Sequence, residues 1–210
     1  MPAMPWLYLI TDDKGRKPEE LAELIENAIM GGVNLVQFRE KSSGPTAAAR
    51  AFQLLSAVCQ RANVPLLINA DLLGRFPLDV PFAGIHYSNR TLPVHPCTKA
   101  PLAGYSAHGH DDAAAAFSHG VHFCTISPIF ETPSKAGILD PIGLDSLKSI
   151  CSAQSHRNFI ALGGIDDTRV QDCLQAGVKG VAVIRGIMDS SDPCDAAKKL
   201  SLAMENHKVE

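Results

Sequence analysis

Short apolar runs recur along the chain, separated by longer segments in which apolar residues return every three or four positions among polar ones. A short continuous run followed by an amphipathic segment is the pattern of β-α-β units, whose parallel strands are covered on both faces. Eight runs stand out: Trp6 to Thr11, Val33 to Phe38, Pro65 to Ile68, Phe82 to Tyr87, Leu102 to Ser106, His122 to Ser127, Phe159 to Leu162 and Gly180 to Ile184. They are spaced by about one strand plus one helix, a rhythm that predicts closure into a single (β/α)8 TIM barrel spanning residues 1–210. An open doubly wound sheet built from the same units is the alternative.

The intervening segments differ in clarity. Pro18 to Met30 opens on Pro18-Glu19-Glu20, a favourable first helical turn, and stops at Gly31-Gly32. Thr46 to Ala62 reads equally well as a helix. Asp166 to Ala176 has an acidic start suited to an N-cap and ends at Gly177. Around Asp71 to Pro77 and Asn89 to Pro96 prolines break the pattern, and short helices or loops are expected. The polar end from Asn206 to Glu210 is expected to fray.

At 210 residues the chain has room for one barrel and no second domain. Its net charge of −3 and the lack of any Lys/Arg run exclude a nucleic-acid surface, which needs a concentrated basic footprint. A small ligand is expected instead. The apolar stretch at Trp6 to Ile10 is too short for a membrane span, and no basic segment precedes it, so a cytoplasmic protein that binds no membrane is expected. The six cysteines stand singly, without metal-ligand spacing, as reduced structural thiols do.

In such a barrel the chemistry belongs at the C-terminal strand ends. The second run ends in Gln37-Phe38-Arg39-Glu40-Lys41, where strand alternation places Gln37, Arg39 and Lys41 on one side. Two cations and an amide converging there suit a multiply charged anion, although a solvated loop with scattered charges would show the same letters. The seventh and eighth runs lead into Leu162-Gly163-Gly164-Ile165 and Val183-Ile184-Arg185-Gly186. Glycines there let backbone N–H groups approach a phosphate, and the helices expected to follow would add their positive ends. After the sixth run, Thr132 and Lys135 lie in a proline-stiffened loop, as a hydroxyl donor and a cation above the mouth.

Taken in order, Tyr8-Leu9-Ile10-Thr11-Asp12, Gln37 to Lys41, Leu67-Ile68-Asn69, Gly84-Ile85-His86, Ser106-Ala107-His108, Ser127 to Lys135, Pro141 to Leu144, Leu162 to Ile165 and Gly180 to Val183 resemble the thiamine phosphate synthase/TenI family over most of the chain. The resemblance implies thiamine biosynthesis: hydroxymethylpyrimidine pyrophosphate joins a thiazole phosphate and pyrophosphate leaves. It implies that Arg39, Lys41, Asn69 and Lys135 hold the pyrophosphate. Gln37 and Ser106 would lie along the pyrimidine, and Thr132, Gly164, Ile184 and Arg185 around the thiazole phosphate. It leaves a homodimer open.

The chain departs from that family pattern in one respect that bears on the chemistry. Synthases of this kind usually carry an aspartate after the asparagine of strand three and another before the Leu-Pro that follows strand four, both for Mg2+. Here Ala70 and Thr91 stand there. No protein metal ligand is therefore expected, and Mg2+ would enter through the substrate pyrophosphate alone. Arg90, beside Thr91, offers a fixed cation in its place, or is an ordinary exposed loop arginine. The resemblance also covers a thiazole tautomerase, whose distinguishing histidine after strand six is replaced by Pro128, and a non-catalytic binder of thiazole phosphate or thiamine phosphate. Retention of Arg39, Lys41 and Lys135 favours the transferase. His86 and His108 are expected to be structural, and Arg185, in place of a small residue, to grip phosphate or fill the site.

Overall fold

Each strand is apolar on both sides, which is why it reads as an unbroken run. In the computed structural model, which describes residues 5–92, 101–132 and 140–205, the strands are β1 (Trp6–Ile10), β2 (Leu35–Phe38), β3 (Leu66–Asn69), β4 (Gly84–Tyr87), β5 (Leu102–Ala107), β6 (Phe123–Ile126), β7 (Phe159–Leu162) and β8 (Gly180–Val183). All neighbours pair parallel in chain order, and β8 closes on β1 with Trp6 opposite Gly180 and Leu9 opposite Val183. The fold is a closed (β/α)8 barrel, and the open-sheet alternative is set aside.

Alternation sorts the side chains into two cores. Trp6, Tyr8, Ile10, Leu35, Leu67, Leu102, Phe123, Ile160 and Ala182 fill the interior, whereas Leu7, Leu9, Val36, Phe38 and Ile68 face the helical layer. Inside, Phe123 meets Tyr8 edge to face at 5.7 Å between ring centroids, and Trp6 at 5.8 Å. The outer layer comprises α1 (Pro18–Met30), α2 (Pro45–Arg61), α3 (His110–Ser118), α4 (Gly143–Ala153), α5 (Val170–Gln175), α6 (Arg185–Met188) and α7 (Pro193–Glu205). Among the described residues no helix is long and apolar enough to cross a membrane.

Where the expected boundaries shift, a side chain replaces backbone pairing. β2 begins at Leu35 rather than Val33 because the Asn34 amide serves as a surrogate strand partner: its Oδ1 accepts from Leu7 N–H at 2.9 Å and its Nδ2 donates to the Pro5 carbonyl at 3.0 Å. The helix expected from Asp166 starts only at Val170, with Gln175 its last residue. Asp166 instead closes a turn on itself, accepting from Thr168 N–H at 3.1 Å and the Thr168 hydroxyl at 2.6 Å. After β3 the chain makes only a 3-10 turn, Ala70–Leu72.

Candidate functional site

A cavity of about 790 Å³ opens at the C-terminal ends of the strands. Arg39 and Lys41 line it from beyond β2, Thr132 from beyond β6, Gly163 and Gly164 from β7, and Ile184 and Arg185 from β8. The strand-alternation reading therefore brings together the cations it named. Lys135 lies outside the described residues. Gln37, Asn69 and Ser106 are not among the residues lining this cavity. Gln37 is 1% exposed, sunk in the barrel interior, and the Asn69 carboxamide oxygen caps the 3-10 turn, accepting from Asp71 N–H at 2.9 Å.

Arg39 is fixed by its backbone. Its N–H donates to Thr11 Oγ1 at 2.9 Å while the same hydroxyl donates to the Arg39 carbonyl at 2.9 Å, so β1 holds both peptide groups of the residue. Burial lowers the guanidinium's pKa, and Asp12 and Asp71 oppose that shift; an arginine stays charged regardless. The loop carrying Lys41 is bound by two buried carboxylates. Glu40 accepts from the amides of Ser42 and Ser43, and Asp13 accepts from the Ser43 hydroxyl at 2.7 Å and the Ser42 hydroxyl at 2.8 Å. Burial would raise the Asp13 pKa, yet the hydrogen bonds from Ser43 and Ser42 and from the Gly15 and Lys14 amides outweigh it and hold the carboxyl below its usual range.

On the opposite wall, Arg185 Nη2 donates to Thr132 Oγ1 at 2.7 Å, tying the β8 end to the β6 loop. Asp189 also lines the cavity and is gripped by Lys14 Nζ at 2.6 and 2.7 Å, while Arg16 Nη2 donates to the Met188 carbonyl at 2.7 Å. Nothing in sequence spacing pointed to this clamp between the β1 and β8 loops, because its partners are far apart along the chain.

The glycines after β7 have a reason for being there besides the one read from sequence. Gly164 has φ +68°, and a Cβ on it would lie 2.6 Å from the Glu131 carbonyl oxygen and 2.8 Å from Phe130 Cβ. Phe130 N–H donates to the Gly163 carbonyl at 3.1 Å, so the β6 loop continues along β7 and needs the missing side chain. The glycine is required by the protein's own packing. No helix N-terminus follows directly either, since α5 begins at Val170; at β8, α6 begins at Arg185 itself.

The donors at the mouth of β3 and β4 do not fit a resident divalent cation. Ala70 is 3% exposed and belongs to the apolar core. The Thr91 hydroxyl is engaged with Ser88, accepting its N–H at 2.8 Å. Asp71 turns outward to Arg90, 3.3 Å away, whose side chain is 78% exposed, so Arg90 is a surface partner rather than a buried cation. Among the described residues no three His, Cys, Asp or Glu side chains are grouped to hold a metal.

Below the mouth lies a buried polar chain: Tyr8 Oη donates to Gln37 Oε1 at 3.3 Å and meets His86 Nδ1 at 3.1 Å, while His86 Nε2 meets Ser106 Oγ at 2.9 Å. Burial, with a smaller contribution from the charge of Arg39, presses the His86 pKa down to about 3. His108 lies apart, Nδ1 donating to the Ser127 carbonyl at 2.8 Å.

The chain is similar to known proteins over most of its length. A family profile described as "Thiamine monophosphate synthase" matches residues 7–187. A putative thiamine-phosphate synthase of Geobacter sulfurreducens is 33% identical, with 92% of each chain covered. The thiamine-phosphate synthase of Streptomyces avermitilis is 34% identical over 93% of this chain and 91% of its own. Among solved structures, thiamine phosphate pyrophosphorylase from Pyrococcus furiosus superimposes with a TM-score of 0.79 at 22% identity, covering 95% of both chains, a likeness of fold.

Proposed function

Because the chain belongs to the thiamine monophosphate synthase family, we propose that it is a cytoplasmic transferase of thiamine biosynthesis that joins hydroxymethylpyrimidine pyrophosphate to a thiazole phosphate. The observation that carries this reading is the placement of Arg39 and Lys41 on one wall of a single cavity and Arg185 with Thr132 on another. A reaction between two anionic substrates needs two separate cationic grips facing one space, whereas a binder of one phosphate needs only one.

In the proposed reaction the C–O bond between the pyrimidine methylene and pyrophosphate breaks, and the electron pair leaves on the pyrophosphate oxygen. The thiazole nitrogen then gives its lone pair to the pyrimidine carbocation, forming the C–N bond. Arg39 and Lys41 meet the charge that grows on the leaving group, and the family resemblance adds Lys135 and Asn69 to that role. Thr132, Gly164, Ile184 and Arg185 hold the thiazole phosphate, and Gln37 and Ser106 face the pyrimidine from below.

Incubation with both substrates, with and without Mg2+, tests the proposal. Thiamine phosphate and pyrophosphate should appear in equal amounts. Thiazole phosphate binding by calorimetry with no product under either condition would make the protein a non-catalytic binder.

A further inference from the structure

Main-chain pairing of β1 with β2 runs out at Thr11, whose N–H donates to the Gln37 carbonyl at 3.0 Å. Beyond that point side chains take over. Thr11 Oγ1 serves both peptide groups of Arg39, and two residues further on Asp13 reaches the serines that follow Lys41. Ser42 Oγ donates to both Asp13 carboxylate oxygens at 2.8 Å, and Ser43 Oγ donates to one of them at 2.7 Å. Glu40 accepts from the amides of the same two serines. Lys41 therefore stands between residues fixed on both sides.

Asp13 is placed to hold this loop and not to meet a ligand. It is 3% exposed and is not among the residues lining the cavity, whereas Lys41 is. The Lys14 and Gly15 amides also donate to it, turned onto it by successive left-handed residues at φ +47° and +76°. A lysine adopts that conformation only at a cost. Glu40 lies in the same loop as the serines and can only curl it; Asp13 ties it to the end of a neighbouring strand. A lysine is a point charge on a flexible four-carbon stem, and Lys41 is exposed. Its grip on an anion depends on how much of that freedom is removed before the anion arrives.

Resting on the synthase reading, which puts pyrophosphate on this wall, we propose that Asp13 is a positioning residue that acts through Lys41: by fixing the Ser42 and Ser43 hydroxyls it anchors the loop after β2 to the loop after β1, so that the Lys41 ammonium is held at the cavity wall before pyrophosphate binds.

Titration with inorganic pyrophosphate, followed by calorimetry, tests this without turnover. Asp13→Ala should weaken binding roughly three- to tenfold, the worth of ordering one long side chain in advance. In a Lys41→Met background the same change should add nothing, because no ammonium is left to place. A loss of equal size in both backgrounds overturns the proposal, as does unchanged binding in Asp13→Ala or no binding by the wild type. 15N relaxation gives a readout free of any ligand: the amides of residues 41–43 should be rigid in the wild type and mobile on the nanosecond scale in Asp13→Ala. Equal rigidity in the two proteins overturns the anchoring. In turnover, Asp13→Ala should lower kcat or raise KM for the pyrimidine substrate and leave KM for thiazole phosphate unchanged; a rise in both KM values overturns it. If Asp13→Ala does not fold, Ser42→Ala combined with Ser43→Ala removes the two hydroxyl donors instead and should give the same loss in the same two backgrounds. If the wild type makes no thiamine phosphate, the synthase reading falls, and the pyrophosphate titration and the relaxation data still decide whether Asp13 places Lys41.

Discussion

Gly104 and His86 share one place in the barrel: a Cβ on Gly104 would stand 2.6 Å from the imidazole Nδ1 and would also strike the Phe123 ring. Gly104→Ala should therefore cost about 1–3 kcal/mol, the range for overpacking a filled core. Chemical denaturation measures it. A variant as stable as the wild type would mean that the floor of the barrel has slack the packing does not reveal.

The same histidine sets a slope of stability against pH. Its pKa is about 3 when folded and about 6.5 in an unfolded chain, so between those values the unfolded state binds the extra proton. Stability is then full above about pH 6.5 and falls as the pH is lowered toward 3, by on the order of 1 kcal/mol per pH unit from this group. His86→Leu should flatten that part of the profile. Parallel profiles for the two proteins between pH 7 and 4.5 would remove the buried neutral imidazole from the account.

Arg39 and Lys41 should matter to the anion and not to the fold. Arg39 is held by its peptide groups on Thr11, which Arg39→Met keeps, and the variant relieves the desolvation of a charge. Replacing either residue by Met should leave the melting temperature nearly unchanged and weaken pyrophosphate binding by roughly 1.5–3 kcal/mol. Lost stability with binding intact would make them structural.

Turnover should depend on Mg2+ only weakly, because the β3 and β4 mouth offers Ala70 and a hydrogen-bonded Thr91 hydroxyl. Ala70→Asp alone should lower the melting temperature, since it puts a carboxylate where the side chain is 3% exposed. Combined with Thr91→Asp it should regain stability and turnover when Mg2+ is added, through binding to the folded state. A wild-type enzyme that stops when Mg2+ is chelated would point to another ligand, such as Asp71 or Asp12.

Barrel closure and all eight strands were legible in the sequence because burial on both faces writes each strand as a continuous run. The cations Arg39, Lys41 and Arg185 were legible because strand alternation and strand ends are local properties. For Gln37, parity gives its side but not its depth: it lies one layer below the cavity lining, where it accepts from Tyr8, which in turn meets His86. Gly164 was read as room for a phosphate, and the structure adds a second demand on it that no local pattern carries, since a Cβ there would meet Phe130 and Glu131 from another strand's loop. Both details were illegible for one physical reason, contacts between strands that no local pattern encodes.

Lys14 holding Asp189, and Arg16 holding the Met188 carbonyl, join the loop after the first strand to the turn after the last. The walls of the cavity thus come from opposite ends of the order of synthesis, and β1 finds its second neighbour only when β8 exists. A chain still emerging from the ribosome has the Arg39 wall long before the Arg185 wall. Closing a loop that spans most of the chain costs conformational entropy, and a ligand that spans both walls can act only on a molecule whose last strand has docked. Substrate present in the cell would draw the chain toward closure at that final step, as a template completed from both sides.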